Sequence, residues 1–448
     1  MNLLAKIPEL KVIGRTSSFA FKGKNEDLRV IGQTLGVATL LEGSVRKSGN
    51  EVRITAQLID TSDGTHIWSE TYDRTMTDIF EVQESVAAAI IDALQIHVGA
   101  NPTRGRPTNN AEAYVLFLRA RASFNAGELR DAEAFSLQGI ELDPEFAEAY
   151  QQLAYFYWSL AGQFIRAAEG QQLTYNAAAK ALAIDPDLVF AQLLHHSANI
   201  ESSILGDIEA FERAALEQPS DLRILRALSG YLRYAGYFQE ALGFAERLVE
   251  LEPLLPRAHS RMFESLYAVG RTGEAVAALE VSVELGNELN KWWIAEVNLV
   301  EKQYDLAIAN FEAAQEQYGL PSDWFRGLVT GARDPATGQA YLDRHIPQVI
   351  ASLPEEDRAV TQQSLTRWYL YLGFLDRYFE LILDLDLTDA VWTDAYNLFS
   401  EGILYRGLGF TAHPMFLEVA ESLGIIDVWE QRGPPDFCDK VGREWVCE

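Results

Sequence analysis

The chain is poor in what most chemistry needs. Of its 448 residues only two are cysteines, Cys438 and Cys447, so no thiol framework staples it. The pair is a candidate disulfide. Closing their ring of about ten residues would stabilise the fold by roughly 3 kcal/mol and would imply an oxidising compartment; two free thiols are the other reading. His413 would add a third metal ligand, but without a paired C-x-x-C this is a poor zinc pattern, and no metal or cofactor is expected. No run approaches the 18 apolar residues of a spanning helix, and Met1-Asn2-Leu3-Leu4-Ala5-Lys6 lacks a full signal-peptide layout.

Catalytic signatures are missing too. The seven histidines are scattered, and His195-His196 point to different faces of a helix. There is no H-E-x-x-H and no G-x-S-x-G. Arg15-Thr16-Ser17-Ser18 and Lys22-Gly23-Lys24 lack the glycine-rich loop and Lys-Ser/Thr order of a phosphate loop, so they read as a polar connection. Positive charge is in deficit: 37 basic against 65 acidic residues give −28. Residues 1–100 carry −3 of this and the remainder −25, which disfavours phosphate backbones and anionic membranes.

What the chain has is a helical repeat. Pro144, Pro186, Pro219 and Pro253 are spaced 42, 33 and 34 residues apart, a period of helix–turn–helix arrays. Each follows an amphipathic run, such as Val249-Glu250-Leu251-Glu252, that a proline stops. Small residues recur between the stops: Ala120, Gly127, Ala132 and Gly139; Ser229, Gly236, Ala241 and Ala245; Gly270, Ala275 and Ala278. They let paired helices approach, with the glycine ending the first helix of each pair. Over 110–320 this resembles the tetratricopeptide repeat. The resemblance implies an α-solenoid that binds protein or peptide and carries no chemistry of its own.

Projecting the first helix of each repeat places eleven residues on one predicted groove: Gln151, Tyr155, Gln192, His196, Asn199, Arg223, Arg226, Arg233, Arg257, Lys291 and Asn298. The arginines suit an acidic or carboxylate-ended peptide, because the guanidinium fork is bidentate; the competing reading is that they pair with neighbouring acids. Tyr155-Phe156-Tyr157-Trp158 and Trp292-Trp293 read mostly as core.

Residues 1–99 break the period. Leu10-Lys11-Val12-Ile13-Gly14 reads as a short strand and Glu26–Leu35 as a helix closed by Gly36. Strands follow at Thr39–Arg46, Val52–Ile59 and His66–Tyr72, the first two joined through Ser48-Gly49-Asn50. A long helix is expected from Thr77 to Val98. Val12–Phe19, Leu41-Glu42-Gly43-Ser44-Val45-Arg46, Arg53–Asp60, Gly64, Trp68 and Tyr72-Asp73-Arg74 resemble the TolB-like amino-terminal domain of bacteria. That domain commonly precedes tetratricopeptide repeats, downstream of a class III nucleotide cyclase or a winged-helix DNA-binding domain. This chain opens inside the family's first helix, so Met1 is either a mis-assigned start or the start of a truncated paralogue.

The expectation is a mostly α chain. A truncated TolB-like α+β domain (1–99) leads through a linker (100–110) to tetratricopeptide repeats (111–320), degenerate helical repeats or a cap (321–409), and a C-terminal helix and tail (410–448). The expected function is a non-catalytic protein- or peptide-binding scaffold or sensor in bacterial signalling. The alternative is the regulatory portion of a nucleotide cyclase or winged-helix regulator. A second copy of the chain is also a candidate partner, and nucleic acid is not. The compartment stays open: cytoplasmic as written, periplasmic if a transmembrane helix lies upstream.

Overall fold

The computed structural model describes residues 10–75, 108–352, 365–383 and 405–448, apart from short gaps within those spans, and a few isolated positions between them. The fold is mostly α, with a small α+β amino-terminal part followed by a tetratricopeptide-type α-solenoid. By compactness the chain divides into two units. The first comprises 1–149, 215–223 and 247–255; the second holds the rest.

In the first unit, helix α1 (Arg15–Phe19) and helix α2 (Leu28–Leu35) precede a three-stranded antiparallel sheet, β1 (Thr39–Ser48), β2 (Glu51–Asp60) and β3 (His66–Thr75). Asp27 caps α2 by accepting from the Arg29 amide at 2.9 Å, and Gly36 closes it at φ +62°, a left-handed angle that costs glycine little. Strand β2 buries Val52, Ala56 and Leu58 by alternation. The register then shifts between Leu58 and Ile59, leaving Ile67 of β3 as the extra residue, and Ile59 is fully buried as well. The helix expected from Thr77 to Val98 lies largely outside the described residues.

The segment Leu10–Gly14 is not a strand. Ile13 is buried against Ile31, Leu35 and Leu254, so its apolar character is real. Its neighbouring backbone, however, bonds to a helix end far away in sequence. Gly14 donates to the Leu251 carbonyl at 2.8 Å. The amides of Thr16 and Ser17 donate to the Glu252 carboxylate at 3.1 and 2.7 Å, and the Leu254 amide donates to Ser17 Oγ at 3.0 Å. The polar connection at Arg15–Ser18 thus opens a helix whose first amides are satisfied by an internal anion. Helices α3 (Ala111–Ala126) and α4 (Leu129–Leu142) pair within the same unit.

The array continues through α5 (Ala147–Leu160), α6 (Ala167–Ile184), α7 (Val189–Ser197), α8 (Ile204–Glu217), α9 (Leu222–Tyr234), α10 (Phe238–Leu251), α11 (Pro256–Ala268), α12 (Thr272–Glu284), α13 (Asn290–Val300), α14 (Tyr304–Tyr318), α15 (Ser322–Arg333) and α16 (Pro335–Ser352). Pro144, Pro186, Pro219 and Pro253 each stand two residues beyond a helix end. The small residues sit in the seams: Ser229, Ala241, Ala245 and Ala275 are fully buried, and Ser229 Oγ donates to the Ala241 carbonyl at 3.0 Å. No described helix is long and apolar enough to cross a membrane.

Beyond the repeats, a helical run over 365–371 carries Trp368 and Tyr371. The Trp368 ring meets Trp292, Phe311 and Tyr371, and Tyr405 completes the seam beside Tyr267 and Tyr371. Helix α17 (Leu375–Leu383), helix α18 (Phe416–Ser422), helix α19 (Ile425–Arg432) and a hairpin of β4 (Cys438–Val441) and β5 (Glu444–Cys447) follow. Cys438 and Cys447 face each other across the hairpin as a disulfide.

A Cβ on Gly14 would lie 2.0 Å from Glu252 Oε1. Gly14→Ala and Glu252→Ala should therefore each lower stability, by about 1–3 kcal/mol for the lost acceptor. The double variant should lose less than the sum of the two. Urea unfolding of the four proteins checks this; strict additivity would mean that the carboxylate and the loop act independently.

Candidate functional site

Three of the eleven groove candidates meet in the second unit, together with two neighbours. Tyr155, Trp158 and Ser159 stand on one face of α5, because residues three and four apart share a side of a helix. Tyr155 stacks on Trp158 with centroids 6.2 Å apart and meets Phe190 edge-on at 5.6 Å. The Arg226 guanidinium of α9 sits 5.4 Å from the Tyr155 ring and 5.6 Å from the Trp158 ring, within cation–π range. Its Nη2 donates to Ser159 Oγ at 3.2 Å, and its buried Nε has no hydrogen-bond partner among the described residues. No described carboxylate lies within ion-pair distance of it.

Arg257, at the start of α11, is the second cation. Partial burial and then the charge of Arg226 lower its pKa, and Tyr155 opposes them. The residue as a whole is nevertheless exposed. Two like charges are thus held close beside two aromatic rings, in a chain of net charge −28. Such an arrangement is stabilised by an incoming anion, and a carboxylate suits the guanidinium fork.

Arg223 and Arg233 have acidic partners. Arg223 makes a forked contact with Asp221, Nε at 3.0 Å and Nη2 at 2.6 Å. Arg233 is buried and pairs with Glu264 at 3.1 Å, which Arg261 also contacts. Among the polar candidates, Gln151 is buried. Gln192 turns back onto the Pro186 carbonyl at 2.7 Å, and Asn199 caps the Glu201 amide at 3.0 Å. Asn298 bonds Gln303 and Asn310, and Lys291 is half-buried.

Sequence projection missed Trp158 and Ser159, although their i+3 and i+4 spacing from Tyr155 carries the signal. It also missed a basic group in the first unit, where burial and then the charges of Arg15 and Arg223 lower the pKa of Arg121. The first of these lies outside the repeats, where no period would mark it.

His196 leads to a different site. Its Nε2 is 3.6 Å from Oδ1 of the fully buried Asp207. Ser202 Oγ donates to Oδ1 at 3.0 Å and Ser197 Oγ to Oδ2 at 3.2 Å, with Tyr231 OH 2.5 Å from Ser197 Oγ. Burial pushes the Asp207 carboxyl up to about 6, against the pull of these donors. His413 bonds Asp376 at 3.0 Å. Among the described residues no group of three or more histidines, cysteines or carboxylates is placed to hold a metal ion.

No protein-family profile matches the chain. A curated relative, the putative adenylate cyclase 3 of Rhizobium meliloti (strain 1021), is 41% identical over 157 residues, which is 34% of this chain and 27% of that protein. The chain therefore spans little more than a quarter of that relative's length. Solved structures with similarity include a human IFIT1 dimer (14% identity, 79% of each chain, TM-score 0.40) and the Cut9–Hcn1 hetero-tetramer of the APC/C (14%, 78% of this chain and 82% of that one, TM-score 0.33). PilF of Pseudomonas aeruginosa (16%, 47% and 93%, TM-score 0.32) is another. These TM-scores carry no functional argument, and the description of the array rests on its own helix pairs.

The buried Asp207 gives a pH test. Its folded pKa of about 6 exceeds the ordinary 3.8, so the folded state holds the proton more tightly. The associated stability is full below pH 3.8 and is lost as pH rises through about 6, by about 3 kcal/mol in all. Asp207→Asn should remove that slope between pH 4 and pH 7 in denaturant titrations; parallel profiles for the two proteins would show that the carboxyl titrates normally.

Proposed function

We propose that the chain is a protein- or peptide-binding scaffold or sensor module of bacterial signalling, and that Tyr155, Trp158, Ser159, Arg226 and Arg257 take an acidic or carboxylate-ended segment. One observation carries this reading: two guanidinium groups are brought together beside aromatic faces, and Arg226 is without a carboxylate of its own among the described residues. A carboxylate would accept from Arg226 and relieve its repulsion with Arg257. The flanking rings would cover apolar side chains next to it. The amino-terminal part is proposed as a TolB-like domain, on the motifs along its three strands.

A second reading has its own support. The 41% identity to part of a putative adenylate cyclase favours a regulatory portion of a nucleotide cyclase. In that setting the arginine face would receive a segment of the effector rather than a separate protein.

An array of acidic peptides with free C-terminal carboxylates, titrated against the whole chain, tests the site. Arg226→Ala should weaken a binding peptide about tenfold and Arg226→Glu more, with affinity falling as salt rises. A peptide whose affinity is the same for wild type and Arg226→Glu would overturn the assignment.

A further inference from the structure

The hairpin 437–448 and the residues before it grip one turn of the array. Trp429 Nε1 donates to the Ala235 carbonyl at 2.8 Å, and Tyr237 OH donates to the Gly433 carbonyl at 2.8 Å. The Asp436 amide donates to the Gly236 carbonyl at 3.0 Å. The Asp436 carboxylate accepts from the Gln239 amide at 2.8 Å. It thereby caps the amino end of α10 from 197 residues away, at the pole of the helix that favours an anion. Phe437 stacks on Phe238 with centroids 5.5 Å apart and is buried. Gly236 has φ +90°, and a Cβ there would lie 2.5 Å from the Phe437 ring and 2.8 Å from Pro435, so the turn is shaped to admit this segment.

Phe437 also packs on Phe416 and Trp429, and behind these contacts stands the hairpin. Its strands are four residues each, too short to hold together alone in water. The disulfide closes them next to the bond from the Glu448 amide to the Phe437 carbonyl at 2.9 Å, while Thr411 Oγ1 donates to the Glu448 carbonyl at 2.7 Å. We propose that residues 433–448 are a redox-gated strap: the Cys438–Cys447 disulfide locks them over the α9–α10 turn, and reduction by a dithiol releases them and uncovers Phe238 and the amino end of α10.

The chemistry balances with a dithiol as the only co-reactant. Cys438 is buried and Cys447 is half-buried, so a thiolate of the reductant attacks Cys447 Sγ. The Sγ–Sγ bond breaks and Cys438 leaves as a thiolate that takes a proton. The second thiolate of the reductant then displaces Cys447 and closes the reductant's own disulfide. Two electrons pass from the dithiol to the protein. Loss of a ring of about ten residues shifts the closing equilibrium of the strap by about a hundredfold.

Hydrogen exchange of the whole chain, read by mass spectrometry with and without dithiothreitol, tests this, with thiols counted in each sample. The expected result is no titratable thiol before reduction and two after it. Exchange of the 236–240 and 433–448 amides should speed up by about a hundredfold on reduction, with 14–18 and 248–255 unchanged. In the oxidised protein Asp436→Ala should accelerate the 236–240 amides without reductant. Two thiols before any reductant, unchanged exchange after full reduction, or loosening spread across the chain would each overturn the strap.

Discussion

A helical hairpin cannot bury both of its faces, and each pair in this chain has an apolar side that only a neighbour can cover. That constraint governs the molecule. It explains why fully buried small residues such as Ser229, Ala241 and Ala275 line the seams, where larger ones would push the pairs apart. It also explains why aromatic side chains from 365–371 and Tyr405 extend the core beside α11 and α13. Those side chains lie outside the periodic part of the sequence.

Much of the fold was legible because its signals are local. The proline stops, the glycine that closes α2 and Gly49 between β1 and β2 act within a few residues, and the elements lie where those residues put them. The failure at Leu10–Gly14 has the opposite cause. Its apolar pattern is correct, but its backbone partners are Leu251 and Glu252. No local rule announces a bond over 235 residues of sequence. The same holds for Asp436, whose role depends on where Gln239 stands in space.

The candidate site was legible in part. Helical spacing was enough to place Tyr155, Arg226 and Arg257 on first helices, and the structure adds that they meet. Spacing could not tell which arginines already have acids: Arg223 meets Asp221 two residues away, whereas Arg233 finds Glu264 on the following pair. With 65 acidic residues in the chain, an arginine without one among the described residues is a matter of packing rather than composition. That is what makes Arg226 informative.

The two long-range caps have a consequence for how the chain is made. Helix α10 lies in the middle of the sequence, yet the carboxylate at its amino end belongs to Asp436, 197 residues later. During synthesis the ribosome releases this helix long before its cap exists. The repeat that contains it leaves the exit tunnel with an open pole and an uncovered Phe238, and reaches its final form only when residue 436 has emerged. Folding that runs from the first repeat towards the last must therefore return to the middle to finish.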